Sequence, residues 1–191
     1  KIRNVKPFTT VHSPSSHSAF SNATELANFI GKLRKLSGGK PVGFKICIGR
    51  KDEFIDIVKA ISETGIYPDF ITIDGAEGGT GAAPLEFIDY MGMALVDALV
   101  FANKTLTEYG IRDQIKILAS GKVISAFDIA KTLALGADAC YSARGMMFAL
   151  GCIQALQCDS GHCPVGIATQ DPLLYEGIDI GTETVGLITY M

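Results

Sequence analysis

The stretch Gln114-Ile-Lys-Ile-Leu-Ala-Ser-Gly-Lys-Val-Ile-Ser-Ala-Phe-Asp-Ile-Ala-Lys-Thr-Leu-Ala-Leu-Gly-Ala-Asp-Ala-Cys-Tyr-Ser-Ala-Arg-Gly145 decides the fold class. Gln114 to Ala119 is a short apolar run, and Ser120-Gly121-Lys122 turns it into a segment apolar at helical spacing through Phe127, Ala130, Leu133 and Ala134. Ala137 to Ser142 repeats the short apolar run, and Ser142-Ala143-Arg144-Gly145 leads into a helix expected to begin near Met146. Two strand-to-helix units in tandem, without a hairpin turn between them, read as parallel strands joined by helical crossovers.

Upstream the same pattern occurs twice more. Pro41 to Ile48 is an apolar run carrying one lysine, Lys45, and reads as a strand covered on both faces. Asp52 to Thr64 is helical through Phe54, Ile57, Val58 and Ile61 and stops at Gly65. Asp69 to Ile73 is the next strand. It is followed by a glycine-rich loop from Gly75 to Gly81, then by helical spacing from Leu85 to about Tyr109 with a break near Gly92. Ahead of these units lies a turn-rich loop around His12 to Ser18. A helix follows, capped at Asn22-Ala-Thr-Glu25, carrying Leu26, Phe29, Ile30, Leu33 and Leu36, and ended by Gly38-Gly39. The expected organisation is therefore an N-terminal loop and helix over 1–40, four βα units over 41–151, and a cysteine-bearing loop with a C-terminal segment over 152–191.

Four parallel βα units suit either an open doubly wound sheet or a (β/α)8 barrel of the TIM type. A dinucleotide-binding sheet calls for Gly-x-Gly-x-x-Gly after its first strand, and Gly49-Arg50-Lys51 does not supply it. A barrel places its chemistry on every loop after a strand and commonly holds phosphate after the last two. A whole barrel takes roughly 250 residues. The 191-residue chain, which lacks an initiator Met, is thus expected to carry about half of one and to belong to an oligomer or a longer chain.

Composition narrows the function classes. With 48% hydrophobic and 19% charged residues, the chain has the makeup of a globular protein rather than a disordered or fibrous one. Apolar stretches such as Met146 to Ile153 fall well short of the roughly 18 to 20 residues of a membrane span, so no membrane association is expected. Residues 1–50 hold nine Lys/Arg against Glu25 alone, whereas residues 51–191 hold eight against 19 acidic residues. The early positives are spread over a loop, a helix and a strand with little aromatic interleaving, which fits a docking surface better than nucleic acid. Five cysteines without a secretory signal suggest a reducing, cytoplasmic setting and metal before disulfide.

Four features carry candidate chemistry. Ser120-Gly121-Lys122 and Ser142-Ala143-Arg144-Gly145 each follow a strand and are expected to open a helix, where backbone N–H groups can converge on one phosphate. Cys152, Cys158 and Cys163 fall within twelve residues and suit an iron-sulfur cluster, or zinc if His162 joins them. Lys45, near the end of a strand, should meet an anion, either a ligand's or the carboxylate of Asp74 or Glu77. Asp74-Gly-Ala-Glu77-Gly78-Gly79-Thr80-Gly81 is glycine-rich enough to approach a ligand closely. Cys47 and Cys140 lie in strands and read as small core residues.

The run Ile73-Asp-Gly-Ala-Glu-Gly-Gly-Thr-Gly-Ala-Ala-Pro84, the block Ala149-Leu-Gly-Cys152 and the segment Cys158-x4-Cys163-Pro-Val-Gly-Ile-Ala-Thr-Gln-Asp171 resemble the synthase domain of glutamate synthase, over roughly Gly39 to Asp171. The resemblance implies a (β/α)8 barrel that binds FMN, a 3Fe-4S cluster, and reduction of 2-iminoglutarate, formed from 2-oxoglutarate and ammonia, to L-glutamate. It makes Cys152, Cys158 and Cys163 the cluster ligands, and Lys45 a flavin or 2-oxoglutarate contact. Gly78, Gly79 and Thr80 would line the flavin site beside the acid Glu77, with Ser120 to Lys122 and Ser142 to Gly145 at the phosphate. Those last two segments depart from the Asp-Gly-Gly and Phe-Gly-Thr-Gly sequences found at these places in many members. The resemblance further implies a glutaminase domain or subunit as ammonia source, and an electron-donating subunit or ferredoxin. It assigns the four units to the C-terminal half of the barrel. The alternative is a noncatalytic phosphate- or flavin-binding module that needs a complementary half or self-association.

Overall fold

In the computed structural model, residues 6, 9–12, 14, 16–77 and 85–191 are described, so Gly78, Gly79 and Thr80 lie outside the described residues. Among the described residues the first element is helix α1 (Ala23–Leu36), and four βα units follow. They are β1 (Gly43–Cys47) with α2 (Lys51–Thr64); β2 (Phe70–Asp74) with the short α3 (Leu85–Ile88) and α4 (Leu95–Glu108); β3 (Lys116–Ser120) with α5 (Ala126–Ala134); and β4 (Ala139–Tyr141) with α6 (Ala143–Ala149). A 3-10 turn at Arg112–Gln114 precedes β3, and α7 (Pro172–Tyr175) and α8 (Ile180–Tyr190) close the chain.

All three strand pairings are parallel, and the sheet order is β1-β2-β3-β4, the order of the chain. A doubly wound sheet reverses direction at a switch point. Here each crossover advances by one strand, and with the right-handed connection that parallel strands take, the helices stay on one face. This singly wound α/β arrangement is half of a (β/α)8 barrel.

The register shows what each face is for. Ile46, Ile73, Ala119 and Cys140 share one row. With Ile71 and Ile117 they meet Phe54, Val58 and Ile61 of α2 and Leu95, Leu99 and Leu106 of α4 in the core. Fully burying each such large side chain contributes about 1.5–3 kcal/mol. The opposite face carries Lys45, Thr72 and Leu118 in one row and Cys47, Asp74, Ser120 and Tyr141 in the next. In a closed barrel that face is the interior. Here Thr72 on that face is buried but Lys45 and Cys47 at its β1 edge are exposed, whereas the sequence implied a strand covered on both faces and a buried Cys47. Cys140, on the helix face, does pack against the core.

Local signals placed most element ends. Asn22 accepts the Glu25 N–H at 2.9 Å, and the Glu25 carboxylate accepts the Ser21 N–H at 2.8 Å. Together they close the first turn of α1. Gly65 ends α2 in the left-handed region at φ 66°, where a residue without a Cβ carries no steric penalty. Gly92, at φ 103°, separates α3 from α4, and a Cβ there would fall on the Cys47 sulfur.

Three expectations are corrected. Ser120-Gly121-Lys122 does not open a helix: α5 starts at Ala126, because Ser125 and Asp128 form a reciprocal capping box that sets the first turn there. The last unit's helix begins at Ala143, not near Met146, so Arg144 and Gly145 lie inside α6. The predicted inner face of α5, Phe127, Ala130, Leu133 and Ala134, is exposed, with Phe127 at 75%. The helix turns Thr132 inward instead. Its hydroxyl bonds the Asp128 and Ile129 carbonyls inside the helix, so a polar residue can be buried without an unmet hydrogen bond.

The starts of the strands are pinned by a repeated device. Asp69, just before β2, accepts the Val42 N–H at 2.7 Å and Arg34 at 2.8 Å. Asp138, just before β4, accepts the Ile117 N–H at 2.8 Å and Arg112 at 2.9 Å. Arg112 also reaches the Gly136 and Ile115 carbonyls and the Asn103 side chain.

Candidate functional site

The C-terminal ends of the strands converge on a cavity of about 510 Å³. Its size falls within the usual range for small-molecule and cofactor sites. Lys45, Asp74, Ser120 and Tyr141 line it from the strand ends. Glu77, Gly121, Lys122, Ala143 and Arg144 line it from the loops and α6, and Cys152, Cys158 and Cys163 from the segment beyond α6. Four strand ends and a cysteine loop far apart in the chain thus share one space.

Polar links knit this rim together. Lys45 Nζ meets Asp74 Oδ2 at 2.6 Å across β1 and β2, and the other Asp74 oxygen accepts the Ala76 N–H at 2.9 Å. The pair joins the ammonium to a carboxylate inside the cavity. Because Lys45 is 60% exposed, the attraction is screened and contributes at most about 1 kcal/mol. An incoming anion can therefore compete for Lys45 at little cost. Glu77 accepts the Leu95 N–H at 2.9 Å, capping α4 from the loop after β2. Lys122, at φ 43°, meets Asp89 at 2.7 Å, tying the loop after β3 to the loop after β2.

Ser142 and Gly145 lie behind the cavity rather than in its wall. The Ser142 hydroxyl donates to the Val123 carbonyl at 2.8 Å, and the Tyr190 hydroxyl donates to the Ile124 carbonyl at 2.6 Å. The two hydroxyls also touch each other, and a Cβ on Gly145 would collide with the Tyr190 hydroxyl. Lys45, Glu77, Ser120, Gly121, Lys122, Ala143 and Arg144 are thus brought to one cavity. Asp74 is the Lys45 partner that the sequence offered, whereas Tyr141 in the cavity wall, and Asp89 and Tyr190 behind it, had not been singled out. Tyr141 was traceable through strand alternation, which puts it on the inner face, whereas nothing in the local sequence marks Tyr190.

All three clustered cysteines are free thiols. Cys163 is buried in a loop whose backbone holds its pKa below the ordinary thiol value. The Ala168 N–H contributes most, burial opposes it, and the Val165, Ile167 and Gly166 N–H groups add to it. Donors aimed at sulfur favour the thiolate, the form that ligates iron or zinc. Cys47, exposed at its strand end, is the reverse case: partial desolvation by its neighbours and then the Asp74 charge raise its pKa.

Among the described residues, no three His, Cys, Asp or Glu side chains are close enough together to hold one metal ion. Thiolates sharing a zinc stand about 3.8 Å apart, given Zn–S bonds near 2.3 Å in a tetrahedron. The sulfurs of Cys152, Cys158 and Cys163 therefore do not form a single-ion site with His162 as folded. A cluster, unlike a single ion, takes each thiolate on a separate iron, and Cys152, Cys158 and Cys163 line one cavity, the donor type such a cluster uses.

Among the relatives, the glutamate synthase large subunit-like protein YerD of Bacillus subtilis is 46% identical over 190 residues, covering 100% of this chain and 36% of its own length. The archaeal glutamate synthase [NADPH] of Methanocaldococcus jannaschii is 38% identical, covering 87% of this chain and 32% of its own. The ferredoxin-dependent glutamate synthase 2, chloroplastic, of Arabidopsis thaliana is 32% identical, covering 89% of this chain and 10% of its own. The chain thus spans about a third of the first two relatives. A solved DHODH from Eimeria tenella, in complex with ferulenol, covers 66% of this chain and 40% of its own at 19% identity and a TM-score of 0.44. The model of the conserved region in glutamate synthase matches residues 1–191 in full, and the chain belongs to the glutamate synthase family.

Proposed function

We propose that this chain forms the C-terminal half of an FMN- and 3Fe-4S-containing barrel of the glutamate synthase type, an oxidoreductase that makes L-glutamate from 2-iminoglutarate. The observation that carries the reading is the shared cavity. The loops after β3 and β4 and all three cysteines of the 152–163 segment line one space at the C-terminal ends of parallel strands, the end at which barrels of this class do their chemistry.

Within that reading each residue has a task. Backbone N–H groups of Gly121, Lys122, Ala143 and Arg144, with the cationic Lys122 and Arg144 side chains, hold the flavin phosphate. Lys45 supplies an ammonium to a substrate carboxylate or to negative charge on the reduced flavin ring, leaving Asp74 to do so. Glu77 serves as the acid at the substrate end while anchoring its loop on α4, and Gly78, Gly79 and Thr80 complete the wall beside it. Cys152, Cys158 and Cys163 hold the cluster. The bound flavin, when present, supplies the hydride for the imine carbon. The rest of the longer protein supplies the remaining strands, and ammonia and electrons arrive from a glutaminase and from a donor subunit or ferredoxin. A cytoplasmic setting fits the free thiols. Among the described residues, no helix is long and apolar enough to cross a membrane.

The test is elemental and spectroscopic. The full-length protein should contain iron and acid-labile sulfide, show broad visible absorption, and release FMN on denaturation. Its reduced flavin should reoxidise when 2-oxoglutarate and ammonia are added together. One zinc without sulfide would overturn the cluster assignment. Bound FMN that no combination of 2-oxoglutarate and ammonia reoxidises would leave a binding module rather than a synthase.

A further inference from the structure

Tyr190 is the second-to-last residue of the chain, 66 residues beyond Ile124, yet its hydroxyl sits between the two loops that line the cavity on one side. It donates to the Ile124 carbonyl at 2.6 Å and touches the Ser142 hydroxyl, which itself donates to the Val123 carbonyl at 2.8 Å. The two hydroxyls own two protons for three close contacts, so each can donate either to its carbonyl or to the other hydroxyl, and the two share one small polar cluster. One end of the cluster is the loop that follows Gly121 and Lys122. The other is Ser142, the residue that precedes α6, immediately before Ala143 and Arg144. The surrounding packing reserves the place: a Cβ on Gly145 would strike the Tyr190 hydroxyl, and one on Gly186 would strike the Ala149 carbonyl, so α8 lies tightly on α6.

We propose that Tyr190 is a positioning residue of the anion pocket. Its hydroxyl sets the spacing between the loop after β3 and the start of α6, the two segments to which the flavin reading assigns the phosphate. The inference rests on the flavin reading above and adds to it a specific role for the C-terminal helix. Tyr190 does not line the cavity, so it acts through the two loops and not by touching ligand.

The experiment compares FMN with riboflavin, which carries the same ring without the phosphate, as ligands of the flavin-stripped full-length protein. Tyr190→Phe keeps the ring packed on α6 and removes only the hydroxyl. FMN affinity should fall about tenfold, the effect of losing one well-placed hydrogen bond, while riboflavin affinity stays unchanged. Ser142→Ala, which removes the other hydroxyl of the cluster, should act in the same direction and carries the test alone if Tyr190→Phe does not fold. Equal losses for both ligands, or no loss for either, would overturn the assignment, because a merely structural hydroxyl cannot single out the phosphate. A wild-type protein that binds FMN no better than riboflavin would also refute it. Wild-type protein that takes up neither flavin would refute the flavin reading itself and this inference with it.

Discussion

The two ends of the sheet are built on opposite terms. At the N-terminal ends, Asp69 and Asp138 each accept a backbone N–H from the neighbouring strand and an arginine, and the polar groups satisfy one another inside the chain. At the C-terminal ends the links are sparser and more exposed, glycines and left-handed residues shape the turns, and three thiols face a cavity. One end is closed by its own side chains and specifies the fold. The other gathers cationic residues and the three cysteines around a cavity. The difference follows from the parallel sheet, in which every loop with freedom to vary leaves the strand at the same end.

The largest effect expected from breaking this contrast is at the cysteines. Cys158→Ala should abolish the broad cluster absorbance and the bound iron of the full-length protein, leaving the flavin bands, with the melting midpoint of the βα units little altered. An unchanged spectrum would remove Cys158 from the ligand set. Arg112→Ala attacks the other end. It strips Asp138, Gly136 and Ile115 of a partner whose side chain is only 20% exposed. The loss should cost about 2 kcal/mol of stability in urea titrations without changing the FMN-to-riboflavin affinity ratio. A change in that ratio would mean that the two ends are coupled.

Acid sharpens the comparison by a smaller amount. The Val42 N–H and then Arg34 hold Asp69 below its ordinary value of 3.8. Burial pushes Asp138 up, but the Ile117 N–H and Arg112 outweigh it and leave it lowered as well. Carboxylates with depressed folded pKa values contribute stability that is complete above their unfolded pKa and lost as pH falls through the folded one. Unfolding free energy from urea titrations should therefore decline below about pH 3.8, and Asp138→Asn should flatten that decline. The smallest effect belongs to Asp74→Asn, which removes the partner of the exposed Lys45. Stability should change by less than about 1 kcal/mol while anion binding at Lys45 tightens. Looser anion binding would show that Asp74 orients Lys45 rather than competing for it.

Much of the fold was legible because its signals are local. Asn22 and Glu25, Gly65 and Gly92 act within a few residues of themselves, and they lie where the sequence pattern places them. The errors fell where distant parts of the chain decide. Helical spacing alone placed Phe127 and Leu133 inward, but which face of α5 meets the sheet depends on β4 and on Thr132 satisfying its hydroxyl within the helix. Lys45 and Cys47 read as buried because an apolar strand implies cover on both faces, and the described chain covers one. At the site, the cysteine spacing, the glycine turns and an acid partner for Lys45 were visible as types, whereas Asp89 and Tyr190 have no local signature and gain their roles from pairing across loops.

What the sequence determined by itself is the class of the fold and the family. Four apolar runs, each followed by a turn and a helical pattern, permit few arrangements other than a parallel sheet. The Cys158-x4-Cys163-Pro-Val-Gly-Ile-Ala-Thr-Gln-Asp171 segment is specific enough to name relatives. What only the tertiary structure decided is which residues meet: that the sheet is wound singly, that the cysteine loop returns over the strand ends, and that the last helix reaches back to Ser142 and Ile124. The reason is physical. Hydrogen-bonded turns, caps and periodicity are short-range, whereas a cavity is formed by surfaces that meet only after strands far apart in the chain have paired.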